Sequence, residues 1–296
     1  MLKTLSFCLL LAIISCSACS QGSHRHSRSL TDVNSLAYQM AGMDAEMNGK
    51  YEDALKLFDT AINLDHNNLN AYQGRATTKG RLHHYKEAIS DIDEAIKLLP
   101  QDFASSLQRG DFIMFRGDWK SFLKMNNEAE KDYRASIKEY SNILKLHPED
   151  SRALERRSNI EERLKDYKSA ISDMTTAVKY NPKEVFYQVH LADLLGKTGD
   201  YNTAIQIVSE AFKLDEQPGL LHSSRGYYYY HIKKYKNAIE DYDQSLLTDT
   251  DNYGAYYYRG LAKLGLNDKN GACNDWKIAS TNGYSEADSL IKVNCK

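Results

Sequence analysis

The chain has 296 residues, 42% of them hydrophobic and 26% charged, with a formal charge of −2. That balance is ordinary for a soluble globular protein. Near-neutral charge argues against nucleic-acid binding, and beyond the extreme N-terminus no run is long and apolar enough to span a membrane.

The chain opens with a secretion signal, expected over residues 1–15. Lys3 supplies the positive start, and Leu5 to Ile14 form an apolar core too short for a comfortable transmembrane helix. The sequence Ile13-Ile14-Ser15-Cys16 resembles a bacterial lipobox. The resemblance implies cleavage before Cys16 and acylation of its thiol and amino groups. The acyl chains would then anchor the protein at about 0.8 kcal/mol per buried methylene. Cys19, after Ser17-Ala18, is an alternative acceptor; cleavage near Ser17 or Cys19 without lipid would release a free secreted protein. Residues 16–34 are polar and read as a flexible tether. His24 and His26 alternate there with no carboxylate or Cys nearby, so no metal site is expected. The expected location is outside the cytoplasm, as a lipoprotein of a bacterial envelope with its folded part facing the periplasm or the cell surface.

A 34-residue pattern then runs seven times from Ser35 to Glu286. Copies read Tyr51, Ala54, Phe58, Ala61, then Tyr85, Ala88, Ile92, Ala95, Pro100, and later Tyr167, Ala170, Met174, Ala177, Pro182. Upstream of each lies a small or short residue: Gly42, Ala76, Gly110, Ser158, Ala192, Gly226 and Gly260. The apolar spacing is helical, and small residues at crossings let two backbones approach. Each copy is therefore an antiparallel helix pair that buries its face by stacking on its neighbours. The expected copies are 35–68, 69–102, 103–150, 151–184, 185–218, 219–252 and 253–286, followed by a C-terminal cap over 287–296.

Seven times 34 is 238, against 252 residues from 35 to 286. The excess of 14 falls in the third copy, between Gly110 and Tyr133. As an uninterrupted helix it would add about four turns and keep its facing. Phe112, Phe115, Trp119 and Phe122 sit there at helical spacing, which predicts a longer helix with an apolar stripe beyond the stack. Gly117, and the likeness of Gly117-Asp118-Trp119 to the turn Gly199-Asp200-Tyr201, predict a loop instead.

The period, the Ala-x-x-x-large pattern and the closing prolines resemble the tetratricopeptide repeat family over about 85% of the chain. The resemblance implies an all-α, right-handed superhelical solenoid whose first helices line a concave groove. Its partners there would be extended peptides or helices. Groove candidates are Gln39, Met43 and Met47 near the start, Glu155, Asn159, Glu162 and Arg163 in the middle, and Tyr227, Tyr230, His231 and Tyr257 toward the end. The Lys and Asn pattern that clamps a peptide carboxylate in one subclass is absent as a set. Tyrosine suits protein interfaces and also stacks on sugars. A non-enzymatic scaffold or adaptor is thus the first expectation, and a glycan or cell-wall-fragment binder using the tyrosine-rich end is the alternative.

One column repeats as a charge pair. Arg75 precedes Asp91 by 16 residues, and Arg157–Asp173, Arg225–Asp241 and Arg259–Asp275 keep that spacing. Across the insertion, Arg109 matches Glu139. In the copies without Arg both positions are apolar, Ala41 with Leu57 and Leu191 with Ile207. Such covariation predicts touching positions and a structural ion pair, since an active site is rarely built five times. Cys273 and Cys295 lie ten residues before and twelve after Gly283, facing positions if the chain turns back there. In an oxidising compartment they are expected to pair and staple the cap; two unpaired thiols are the alternative. No phosphate loop, His-Glu-x-x-His or nucleophile elbow occurs, so neither a cofactor nor an enzyme activity is expected.

Overall fold

A computed structural model describes residues 30–214 and 219–295. Among these residues there are fifteen α-helices and no strand. In chain order they are α1 (Leu30–Met47), α2 (Tyr51–Leu64), α3 (Leu69–Arg81), α4 (Tyr85–Leu98), α5 (Ser106–Phe122), α6 (Asn126–Leu146), α7 (Ser151–Arg163) and α8 (Tyr167–Tyr180). They continue as α9 (Val185–Thr198), α10 (Tyr201–Ala211), α11 (Gly219–His231), α12 (Tyr235–Thr248), α13 (Tyr253–Gly265), α14 (Lys269–Thr281) and α15 (Glu286–Asn294). The signal segment, Cys16 and Cys19 lie outside the described residues. Residues 30–34, expected to belong to a tether, are helical: α1 begins at Leu30 with Asp32 in its first turn, where an acid complements the helix dipole.

The chain divides into two compact units; the first ends at Arg75 and the second begins at Ala76. In the first unit α1 packs on α2 around Ala54, Phe58, Ala61 and Ile62. The Phe58 ring is fully buried and lies where a Cβ on Gly42 or Gly74 would come within 2.7 and 2.4 Å of it. Both positions must therefore be glycine for the ring to seat.

In the second unit α5/α6, α7/α8, α9/α10, α11/α12 and α13/α14 are packed pairs, each second helix lies on the next first helix, and α15 covers α14. First helices also approach one another across pairs: α5 to α7, α9 to α11 and α11 to α13. Second helices show no comparable approach among the described residues, so the first helices form the inner side of this stack. The core of each layer is the repeated small–large set: Ala170, Met174 and Ala177, then Ala204, Val208 and Ala211, then Ala272, Trp276 and Ala279.

Each pair turns in the same way. The residue two before each second helix of a pair has positive φ: Gly49, His83, Lys124, Lys165, Gly199, Lys233 and Asn267. The next N–H reaches back to a carbonyl five residues earlier, as in Lys50 to Ala45, Asp166 to Glu161 and Lys234 to Tyr229, each at 2.8–2.9 Å. This left-handed stop satisfies carbonyls that the helix end would otherwise leave open. Asp166, Asp200 and Asp268 then cap the following helix by accepting from the N–H three residues on.

The third pair corrects the reading of its insertion. Crossing residues elsewhere lie five or six residues before the end of their helix, but Gly110 lies 12 before the end of α5. Tyr133 lies seven after the start of α6, whereas its counterparts Tyr51, Tyr85, Tyr167, Tyr201 and Tyr235 open their helices. The 14 extra residues are thus one heptad on each arm, with the short turn at Leu123–Met125 carried outward. Gly117 is helical and buried, not part of a loop. Seven residues are close to two full turns, so both arms keep their facing.

Candidate functional site

The longer third pair carries two rungs where other pairs carry one. Arg109-Gly110-Asp111-Phe112 recurs seven residues later as Arg116-Gly117-Asp118-Trp119. The Tyr140 ring lies 2.7 Å from a Cβ built on Gly110, and the Tyr133 ring 2.8 Å from one on Gly117. Their hydroxyls donate to Asp111 at 2.7 Å and to Asp118 at 2.8 Å. Burial is the main cause that raises the pKa of both phenols, and each acceptor carboxylate raises it further.

Arginine and acid meet in the same layers. Arg157 Nε and Nη2 donate to Asp173 at 2.6 and 2.7 Å; Arg225 holds Asp241 at 2.8 and 2.7 Å; Arg259 holds Asp275 at 2.9 and 2.7 Å. Arg109 donates once to Glu139, at 3.0 Å, and otherwise turns to the Pro100 and Asp102 carbonyls. Arg116 and Asp132, a pair not foreseen, form the two-pronged contact at the 16-residue spacing. Each of these arginines except Arg109 also reaches the preceding second helix: Arg116 to Asp93, Arg157 to Ser141, Arg225 to Ser209 and Arg259 to Asp243. In the first unit Arg75 donates to Asp59 at 2.7 Å; in the second Lys79 donates to Asp91 at 2.7 Å. Arg75 and Asp91 belong to different units, and their pairing stays an expectation.

Cys273 and Cys295 are joined by a disulfide with a Cα–Cα distance of 5.7 Å, linking α14 to the end of α15.

The apolar stripe of α5 divides. Phe112 is fully buried, and Trp119 is buried where a Cβ on Gly80 would touch its indole at 2.7 Å. Neither is a contact surface, and that part of the reading is corrected: the extra heptad carries its own core. Phe115 is half-buried and stacks on Trp119, with centroids 6.2 Å apart. Phe122 is exposed and stacks on Tyr85 at 5.0 Å.

The inner face of the second unit is polar in its middle and aromatic toward its end. Arg163 Nε donates to Asp118 at 2.7 Å, Asn159 donates to Glu155, and Lys197 donates to Glu162. In the first unit Met43 and Met47 are exposed, while Gln39 is buried and donates to the Met43 sulfur. Tyr227, Tyr230 and Tyr257 are half-buried and His231 is exposed. Tyr227 meets Tyr258 edge to face at 5.1 Å, His231 stacks on Tyr201 at 4.8 Å, and Tyr257 lies 5.0 Å from Tyr284. Tyr228 is buried and donates to Asp193 at 2.5 Å. Where α9, α11, α12 and α13 meet, Asp193, Tyr227, Tyr242 and Tyr258 line a cleft of about 250 Å³. Among the described residues no group of three His, Cys, Asp or Glu stands close enough to hold a metal, and no helix is long and apolar enough to cross a membrane.

Residues 126–184 and 190–255 match the tetratricopeptide repeat family. The DnaJ homolog subfamily C member 3 of Gallus gallus is 34% identical over 108 residues, 33% of this chain and 21% of that protein, so the chain spans about a fifth of that relative's length. Among solved structures, a tetratricopeptide repeat protein from Parabacteroides merdae superposes with a TM-score of 0.65 at 19% identity, over 89% of this chain and 99% of that one. Pseudomonas aeruginosa pilF gives 0.54 at 17%, over 75% and 95%. The Cut9–Hcn1 hetero-tetramer of the APC/C gives 0.56 at 18%, over 77% and 42%. At these identities the likeness is one of fold. The matched stretches cover α6 to α8 and most of α9 to α12, and the helix pairs of the second unit continue in the same frame beyond them; these helices are tetratricopeptide repeats, and the fold is that of tetratricopeptide repeat proteins.

Proposed function

We propose that the protein is an envelope-anchored scaffold or adaptor that holds a protein partner along the inner face of its first helices. The tetratricopeptide fold supports protein–protein binding in general. The observation that carries the finer reading is the contrast between the two sides of the stack. The Arg–acid rungs and the small–large core repeat from layer to layer, whereas the inner face changes from the polar pairs Asn159–Glu155 and Lys197–Glu162 to rings at Tyr227, Tyr230 and Tyr257. Architecture repeats; a surface that varies along a repeat suits a particular sequence of contacts.

The location rests on the leader, Lys3 with Leu5 to Ile14 and then Cys16, and on the Cys273–Cys295 disulfide, which persists in oxidising compartments. Lipidation at Cys16 anchors the chain, and the disulfide staples the cap. The test is photo-crosslinking in intact cells from Glu155, Asn159 and Tyr230 on the inner face, with Thr175 on α8 as the outer control. A stoichiometric protein captured from the inner positions and not from Thr175 supports the reading. Equal capture from Thr175, or none from any position, sinks it. Mass spectrometry of the mature N-terminus separates acylated Cys16 from acylated Cys19 or a free end.

A further inference from the structure

The cleft between α11 and α13 has a chemistry of its own. Ser223 and Asn252 on its wall are satisfied: Asn252 Nδ2 donates to Ser223 Oγ at 3.0 Å, and Asn252 Oδ1 accepts from the Ala255 N–H at 3.0 Å. One polar group is not: Tyr242 is 2% exposed, and its hydroxyl has no hydrogen-bond partner among the described residues. Asp193 beside it is exposed; its Oδ1 accepts from Tyr228, and its other oxygen accepts no hydrogen bond among the described residues and is open to solvent or a ligand.

No Lys or Arg lines the cleft. Lys197, one turn beyond Asp193, is engaged by Glu162, and Arg225 is held by Asp241 and Ser209. His231 is exposed overall but packed against Tyr201 and Tyr227, and the partial desolvation lowers its pKa, which favours the neutral ring. Tyr227 and Tyr258 meet at 86°. They form a corner, not the flat shelf on which a sugar ring stacks. Ring faces carry negative partial charge and attract cations, and Asp193 adds a carboxylate.

We propose that this cleft binds an alkylammonium group, the head of a lysine side chain on a bound peptide, seated against Tyr227 and Tyr258 and donating to Tyr242 Oη and Asp193. The peptide rests on the scaffold reading above; the preference for the ammonium does not. A buried hydroxyl with no protein partner and a half-used carboxylate are what a multi-donor cation satisfies, while a carboxylate-bearing ligand would be repelled by Asp193.

The test is titration of the full-length protein with N-acetyl-lysine methylamide, its neutral isostere N-acetyl-norleucine methylamide, n-butylammonium chloride and methyl glucoside, followed by saturation-transfer NMR. The lysine probe should bind saturably and at least about tenfold more tightly than the norleucine probe. Asp193→Asn and Tyr242→Phe should each weaken it by roughly five- to tenfold, with far-UV circular dichroism unchanged. Butylammonium binding as tightly as the lysine probe assigns the site to free amines; tighter binding of the lysine probe assigns it to peptides. Equal binding of the norleucine probe, no binding of either amine, or affinity untouched by Asp193→Asn overturns the proposal. Binding of the glucoside in place of the amines does so in favour of a glycan site. If the amines bind and no protein is crosslinked, the scaffold reading falls and the cleft stands; the reverse result separates them equally well.

Discussion

Arg116 donates to both oxygens of Asp132, at 2.9 and 2.6 Å, and at the same time to Asp93 on the preceding second helix at 2.6 Å. One guanidinium thus ties its own pair to the previous one. Both acids holding Arg116 raise its pKa, although burial, the largest single influence, opposes them.

Arg157 repeats that arrangement and gives the cleanest test. Its side chain is 22% exposed and that of Asp173 is 9%. Exposed pairs contribute about 0–1 kcal/mol, whereas stripping one partner from a buried pair costs about 3–5. Asp173→Ala should therefore cost roughly 2–3 kcal/mol, more than the Arg157→Leu/Asp173→Leu double change. Urea unfolding of the four corners of the cycle measures the coupling, and additive single effects would show that the contact carries no energy.

Gly110 faces the fully buried Tyr140, whose ring would lie 2.7 Å from an added Cβ. Alanine gains up to about 1 kcal/mol of helix propensity over glycine. Overpacking a well-filled core costs about 1–3 kcal/mol. The ring is fixed by its bond to Asp111, so the clash should win and Gly110→Ala should lower the melting temperature. Combining it with Tyr140→Leu should recover part of the loss relative to the sum of the two changes. A melting temperature raised by Gly110→Ala alone would contradict the packing described.

Glu161 supplies a pH signature. It is buried, and desolvation, with Asp173 adding to it and Arg157 opposing, pushes its pKa up to about 8. Between the ordinary carboxyl value and 8 the folded chain holds a proton that the unfolded chain does not. This group therefore destabilises the fold as pH rises through that window, by up to about 1.4 kcal/mol per pH unit. His190 acts in the other direction: burial lowers its pKa, so stability falls as pH drops below the ordinary imidazole value. The two effects oppose each other below the ordinary imidazole value, and above it only Glu161 acts, so unfolding free energy should fall from about pH 6.5 toward 8. Glu161→Gln should flatten that fall; an unchanged slope above pH 6 would refute the assignment.

The disulfide closes a segment with a sequence separation of 22. Loop-closure entropy for that length is worth about 3 kcal/mol. Cys273→Ser/Cys295→Ser should lose an amount of that order. Because α15 covers only the last pair, the loss should appear first as faster amide exchange in α14 and α15. Exchange rising uniformly along the second unit would argue against a local staple.

Most of the fold was legible because each layer obeys a short rule. Tyr51, Ala54, Phe58 and Ala61 state it once, and later copies restate it with Met174 or Trp276 in the large position. The third copy was harder to read, since its excess looked like one block after Gly110 when it is a heptad on each arm. The visible signal was the double Arg-Gly-Asp at 109–111 and 116–118, which would have exposed Arg116 and Asp132 and buried Trp119. The cleft was not legible. Tyr242 sits in the core position of its helix, and only the convergence of α9, α11, α12 and α13 leaves its hydroxyl unmatched.

Lengthening the third pair by a heptad on each arm extends it by about 10 Å. Because the addition is matched, neither arm rotates, and the outer rung meets the layers on both sides: Arg116 reaches Asp93, Trp119 packs on Gly80, and Asp118 accepts from Arg163. An unmatched addition of seven to α5 alone would leave Arg116 opposite no acid and Gly117 opposite no ring. Such a solenoid can therefore change the reach of a single pair only in coupled steps, matched between its two arms and keyed to the layers on either side.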